Sequence, residues 1–241
     1  MAILRIARMG HPVLRQVAEP VPPERILDPS TQALIDDMLQ TLADYEGAGL
    51  AAPQVHVPLR LVVLGLEPAS AAPEAEPLVI INPELTFLSQ DMLRSYEGCL
   101  SVPDLRGAVN RVGHVRLDAL DRQGQPFSLE LEGFAAIAVQ HECDHLDGVL
   151  YIDRCDLRTL TFLDELRRFG PLDSHFRKPG SEPDPEPGSE EPGSEPAGGS
   201  GDAEPDPTPQ ARAAGRSAAA AAVPDLSSSS LVMAGGPRAE G

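Results

Sequence analysis

The chain of 241 residues contains no tryptophan, and aromatic residues make up only 4% of it. No apolar run approaches the roughly 20 residues of a membrane-spanning helix, and charges interrupt the apolar amino terminus, so no signal peptide is expected. Three cysteines at irregular spacing do not make a disulfide framework. Basic residues are scarce, 19 against 37 acids, which argues against stable nucleic-acid binding. We therefore expect a soluble cytoplasmic protein that binds no membrane.

Composition divides the chain into two parts. Residues 173–241 carry 12 acids and 5 bases, and they hold 11 of the 25 prolines and 10 of the 21 glycines. This segment has scarcely any branched aliphatic residues, so it buries too little apolar surface to offset the entropy of ordering it. The sequence predicts a disordered acidic tail over 173–241 and a globular domain over 1–172, which is ample for one core.

The apolar pattern predicts an α+β domain. A helix should begin at Asp28-Pro29-Ser30, continue with apolar residues at helical spacing from Leu34 to Tyr45, and end at Gly47 and Gly49 through a left-handed residue. A surface loop is expected over 67–77. The other predicted elements are strands at 59–65, 78–82, 112–121 and 126–132, weaker strand signals over 84–97, a buried helix over 133–146 and a last helix over 157–169. Antiparallel strands with interspersed helices make the class α+β.

The strongest chemical signal is His141-Glu142-Cys143-Asp144-His145. Two histidines four residues apart lie on one face of a helix, so both imidazoles can bind one metal ion. Glu142 beside them can accept a proton from a metal-bound water. A chance pair of histidines is the alternative, but unpaired His and Glu would be costly in so apolar a helix.

A catalytic divalent site needs a third protein ligand and an open position. Two HExxH classes supply it downstream. Tyr151 stands where one class needs histidine, and Glu165, the only acid in a helical context that suits the other class, lies in a charged, surface-like run, so we look for the third ligand upstream. Upstream, Glu97-Gly98-Cys99-Leu100-Ser101 offers a thiolate next to a glycine that permits close backbone approach. Cys99 is therefore a candidate ligand, with the role of a small buried hydrophobe as the alternative.

A third segment, Gly47-Ala48-Gly49-Leu50-Ala51-Ala52-Pro53-Gln54, follows the first helix. Two glycines here are explained equally well by a simple turn. A run of small residues also lets a peptide lie close to the main chain, and Gln54 could donate its amide N–H to a developing oxyanion.

The three segments together resemble the peptide deformylase family, whose pattern is GxGxAAxQ, then EGCxS, then QHExDHLxG. The chain matches it at Gly47–Gln54, Glu97–Ser101 and Gln140–Gly148, and Gly10–Arg15 is similar to the family's amino-terminal segment. The resemblance covers residues 3–169. It implies an α+β fold with antiparallel sheets around a central HExxH helix.

The resemblance also implies a reaction and its residues. A divalent ion held by Cys99, His141 and His145 would activate water to attack the formyl group of N-formylmethionyl nascent polypeptides, giving formate and a free amino-terminal methionine. Glu142 would shuttle the proton, while Gln54 and the backbone N–H of Leu100 would stabilise the oxyanion.

The family match extends to the substrate pocket and to supporting residues. The residues expected to bind the substrate are Gly47, Ala48, Gly49, Gly98, Phe134, Ile137 and Ala138. Core packing is an almost equally good explanation for Phe134 and Ile137. Glu97 and Arg111 are expected to pair beside the metal, and Asp144 to support a ligand or a helix end.

Family resemblance implies Fe²⁺ as the physiological ion, and Zn²⁺, Ni²⁺ or Co²⁺ can bind the same donors. The resemblance implies that the protein acts on nascent chains near the ribosome exit. The acidic carboxy-terminal tail argues against docking on ribosomal RNA through the tail. Two alternatives are an HExxH metallopeptidase of another family, with a third ligand other than Cys99, and a catalytically inactive metal-bound binding module.

Overall fold

A computed structural model describes residues 2–66 and 76–172, so the predicted tail 173–241 and most of the predicted loop 67–77 lie outside the described residues. The α-helices are α1 (Pro29–Asp44), α2 (Gly133–Leu146) and α3 (Leu163–Phe169). The strands are β1 (Gly49–Ala51), β2 (Leu61–Leu64), β3 (Leu78–Phe87), β4 (Met92–Cys99), β5 (Val102–Val112), β6 (His114–Leu120), β7 (Pro126–Glu132) and β8 (Thr161–Phe162). Among these residues, no helix has the length and apolar character required to cross a membrane.

The strands form two antiparallel sheets. One has the order β1-β2-β3-β6-β7, and the other has the order β4-β5-β8. The predicted hairpin is present as β6 and β7, paired from His114↔Glu132 to Leu120↔Pro126. The predicted α+β class with antiparallel sheets is confirmed.

Two parts of the predicted element pattern are wrong. Strand β5 was not expected, because its polar positions Asp104, Arg106 and Asn110 obscure any simple alternation. In the structure, β5 pairs with β4 along most of its length. The predicted helix over 157–169 is helical only as α3 in its second half. Asp156 caps a short 3₁₀ turn instead, and β8 then pairs with Leu105 and Arg106 of β5, so sheet pairing overrides helical periodicity.

Helix α1 begins at Pro29 as predicted and buries Ile35, Met38 and Leu42 on one face. The left-handed residue at its end is Glu46, with φ 51°, and neither of the two expected glycines takes that role. The chain then enters β1, an edge strand that contacts α2, the helix that carries His141 and His145.

Helix α2 lies between the two sheets and has the predicted bounds. It contacts β1, β2, β6 and β7 of one sheet and β5 of the other. Every residue from Ala136 to Leu146 is buried, so its polar residues cannot be solvated and need partners within the protein.

The amino-terminal segment is tied to the same region by backbone hydrogen bonds. The N–H of Ala7 donates to the carbonyl of Gln54 at 2.7 Å, and the N–H of Met9 donates to the carbonyl of Ser101 at 2.7 Å. Residues 5–9 therefore lie across the ends of both motif segments.

Candidate metal centre

The structure brings Cys99, His141 and His145 together in the buried interior. One ligand-type atom from each lies within 4.8 Å of the others. Cys99 Sγ is 3.2 Å from His145 Nε2, and the two imidazole rings stand 5.1 Å apart, centroid to centroid, at 77°. A thiolate and two imidazoles at this separation are a donor set for a borderline divalent cation.

The position of Cys99 depends on an irregularity at the end of β4. The pairing of β4 with β5 changes register between Glu97 and Cys99, at Gly98. Such a break re-aims side chains, and here both Glu97 and Cys99 meet the histidines of α2. A Cβ at position 98 would overlap the guanidinium carbon of Arg106, so any other residue there would require that guanidinium to shift.

Glu97 orients His141 and is held in turn by Arg111. His141 Nδ1 lies 2.7 Å from Glu97 Oε2, which leaves Nε2 as the metal-facing atom. Arg111 donates to both oxygens of Glu97, at 2.8 and 2.9 Å, so the expected ion pair is present. Arg111 also donates to Asp144 at 2.6 Å. Among the described residues, His145 Nδ1 has no comparable partner.

Electrostatics in this cluster favour ionised donors. Burial alone would raise the pKa of the Cys99 thiol, but His145 and His141 outweigh it and hold that pKa well below its usual value. Burial likewise acts to raise the pKa of Glu97, yet hydrogen bonds from Arg111 and His141 lower it to about 2. Cys99 is thus prepared to act as a thiolate.

Glu142 sits at the same cluster in a different electrostatic state. Burial raises its pKa to about 7, against the lowering effect of His141 and His145. Its Oε2 has no hydrogen-bond partner among the described residues. A Cβ at Gly49 would overlap its carboxylate, which explains why β1 begins with glycine. A buried carboxylate with a free oxygen and a pKa near neutrality suits a general base.

Gln54 approaches the cluster from the segment after β1. Its Oε1 accepts from the Ala51 N–H at 2.8 Å, which turns Nε2 towards Cys99 Sγ and Ser101 Oγ, each at 3.4 Å. The amide therefore presents a donor beside the sulfur. Leu100, the residue after Cys99, lines a cavity together with Gln54.

A small cavity unites these groups. Its wall consists of Ala48, Gly49, Gln54, Gly98, Cys99, Leu100, His141 and Glu142. Four expected substrate-binding residues, Gly47, Phe134, Ile137 and Ala138, are not part of that wall. Ala138 belongs to the hydrophobic core, and Phe134 packs against that core, which is the alternative given for Phe134.

Two contacts at the site were not anticipated. Arg154 donates to both oxygens of Asp144 at 2.7 Å, so this carboxylate joins two arginines and supports neither a ligand nor a helix end directly. Tyr151 stacks on the His141 ring, with centroids 6.1 Å apart. Tyr151 begins a short 3₁₀ turn after α2 and Arg154 follows its end, and no periodic signal in the sequence marks either residue. Glu165, the rejected downstream candidate, is exposed on α3.

Comparison with known proteins identifies the family. The polypeptide deformylase model matches residues 3–160. The chain belongs to the polypeptide deformylase family. It is 48% identical over 159 residues to peptide deformylase 1 of Bordetella pertussis, covering 65% of this chain and 88% of that protein. It is 46% identical over 153 residues to the peptide deformylase of Pseudomonas aeruginosa, with coverage of 64% and 87%.

A solved structure agrees with this assignment. The Met-Ala-Ser-bound class I type b peptide deformylase from Acinetobacter baumannii has a TM-score of 0.60 and 36% identity, and the match covers 64% of this chain and 98% of that one. Membership of the polypeptide deformylase family, with the Cys99, His141 and His145 cluster, makes the chain a metal-binding hydrolase. A metallopeptidase of another family is thereby excluded.

Proposed function

We propose that the chain removes the formyl group from N-formylmethionyl nascent polypeptides and releases formate and a free amino-terminal methionine. The observation that carries this proposal is the buried Cys99, His141 and His145 cluster with the Glu142 carboxylate beside it. A family relative binds Met-Ala-Ser, a peptide of the kind that such a reaction would leave.

The donor set supports a resident divalent ion, and we propose Fe²⁺, with Zn²⁺, Ni²⁺ or Co²⁺ as substitutes. When bound, such an ion polarises a carbonyl and lowers the pKa of a water to about 7. Cys99, His141 and His145 would hold it, and Glu97 would keep the His141 ring in the binding tautomer through their 2.7 Å contact.

Glu142 performs the proton transfers. Its raised pKa and free oxygen support a role as acceptor for the proton of the attacking water. The same carboxylic acid then protonates the leaving amine as the carbon–nitrogen bond of the formamide breaks. One group can serve both steps because Glu142 lines the same cavity as Cys99 and His141.

Gln54 and Leu100 stabilise the charge that develops on the formyl oxygen. The Gln54 amide is fixed by the Ala51 N–H, so its orientation costs little during the reaction. The backbone N–H of Leu100 would supply the second donor. Gly47, Ala48, Gly49, Gly98, Phe134, Ile137 and Ala138 remain our proposal for binding of the methionine and the adjacent main chain. We place the reaction in the cytoplasm, near the ribosome exit.

Formate release by the anaerobically purified, Fe²⁺-loaded protein tests this function. Formyl-Met-Ala-Ser should give equal amounts of formate and Met-Ala-Ser, while acetyl-Met-Ala-Ser should stay intact. Failure to release formate from the formyl peptide, with one equivalent of metal bound, would contradict the proposal. Metal retention without activity would instead support the binding-module alternative.

A further inference from the structure

A larger cavity of about 610 Å³ adjoins the metal-ligand cluster. Cys99 and Leu100 form part of its wall, so it begins where the formyl carbon would react. A peptide whose formyl group reaches the small inner cavity must continue into adjoining space. This cavity provides such space, and the amino-terminal segment that includes Arg5 and Arg8 forms part of its wall.

The charge of this cavity is opposite to that of the chain. Three arginines, Arg5, Arg8 and Arg106, face a single acid, Asp104, while the chain as a whole carries a formal charge of -18. His11 and His56 also line it, with their rings in edge contact at 4.6 Å. We call this space the cationic cavity.

Arg5 and Arg8 are exposed on a backbone that is fixed in place. The bonds from Ala7 to Gln54 and from Met9 to Ser101 hold this segment against the site. Within residues 2–66 and 76–172, neither Arg5 nor Arg8 forms an ion pair. Their charges are therefore available to a ligand, and a cleft of one sign concentrates the opposite charge.

We infer that the cationic cavity receives the residues after formyl-methionine and that the chain prefers substrates with acidic side chains there. This inference rests on the proposed function, since it concerns how the substrate chain leaves the same site. Carboxylates would pair with guanidinium groups by charge-assisted hydrogen bonds, and lysine side chains would be repelled.

The test compares three amidated peptides with the full, metal-loaded chain: formyl-Met-Ala-Asp-Asp, formyl-Met-Ala-Ser-Ser and formyl-Met-Ala-Lys-Lys. At low ionic strength, kcat/KM should be about tenfold higher for the acidic peptide than for the basic one. Added salt should shrink this ratio. The double variant Arg5→Gln/Arg8→Gln should reduce it to about twofold or less.

A matched control, Arg25→Gln/Arg116→Gln, removes the same charge outside the cavity and should keep the tenfold ratio. Equal kcat/KM values for all three peptides with the unaltered chain would overturn the inference while leaving the proposed function intact. No formate from any peptide would overturn both. Equal acceleration of all three peptides in the Arg5/Arg8 variant would show that another anion, such as an acidic segment of the chain itself, occupies the cavity, and would also overturn the inference.

Discussion

The two sides of the buried histidine pair differ in how their polar groups are satisfied. Behind His141, the carboxylates of Glu97 and Asp144 are joined through Arg111, and Arg154 completes the network. On the cavity side, Glu142 keeps an oxygen without a partner among the described residues. A satisfied buried network rigidifies a fold, whereas an unpaired buried carboxylate costs stability and indicates function. Substitutions on the two sides should therefore fail in different ways.

The largest effect should come from Glu142→Gln on the cavity side. We expect kcat to fall about 10²- to 10⁴-fold, because the proton acceptor is lost. The melting temperature should stay the same or rise, since a buried carboxylate is replaced by a neutral amide. Steady-state formate release and thermal unfolding of the metal-loaded proteins measure both quantities. The control is Glu165→Gln at an exposed position, which should change neither kcat nor the melting temperature. A large drop in the melting temperature of Glu142→Gln would contradict the proposed difference between the two sides of the site.

Arg111→Gln tests the opposite side. This change leaves Glu97 and Asp144 buried with a lost cationic partner, so we expect the free energy of unfolding to fall by about 3–5 kcal/mol. Denaturant titration checks the prediction. Arg116→Gln, which breaks an exposed pair with Asp118 on β6, should leave the unfolding midpoint unchanged. Equal stability of the two variants would show that the buried network contributes nothing beyond a surface pair.

A smaller effect is expected where the network touches a candidate ligand. Glu97→Gln retains an oxygen for His141 Nδ1 but removes the negative charge behind it. Metal affinity should drop about 10- to 100-fold, as judged by competition with a chelator. The exposed Glu24→Gln should bind metal like the unaltered chain. Undiminished metal affinity in Glu97→Gln would show that the buried network does not influence metal binding.

The smallest effect should follow removal of residues 179–241, which lie outside the described part of the chain. We expect kcat for formyl-Met-Ala-Ser to be unchanged, because this acidic, proline- and glycine-rich segment supplies no residue to the reaction. A large loss of kcat in the shortened chain would contradict this prediction and show that the tail takes part in the reaction.

Local patterns predicted the parts of the molecule that are determined locally. Helix α2 was predicted with its bounds, because a continuous apolar run surrounds the histidine pair and spacing alone puts both rings on one face. Cys99 could be proposed as the third donor from its motif and from the absence of a downstream candidate.

Features that depend on distant pairing could not be predicted in this way. Strand β5 exists because β4 pairs with it, and β8 replaces a helical turn because it pairs with Leu105 and Arg106. The hydrogen bond from Arg154 to Asp144 joins residues ten positions apart, across the end of α2 and the turn that follows it. No propensity or spacing rule reports on such contacts, which arise only when the sheets enclose α2.

Zinc K-edge X-ray absorption of the Zn²⁺-loaded protein tests the central claim most directly. We expect a first shell with one sulfur at about 2.3 Å and imidazole nitrogens at about 2.0–2.1 Å, and loss of the sulfur contribution in Cys99→Ser. A first shell without sulfur in the unaltered chain, at one equivalent of bound metal, would contradict the assignment of Cys99 with His141 and His145 as the metal ligands.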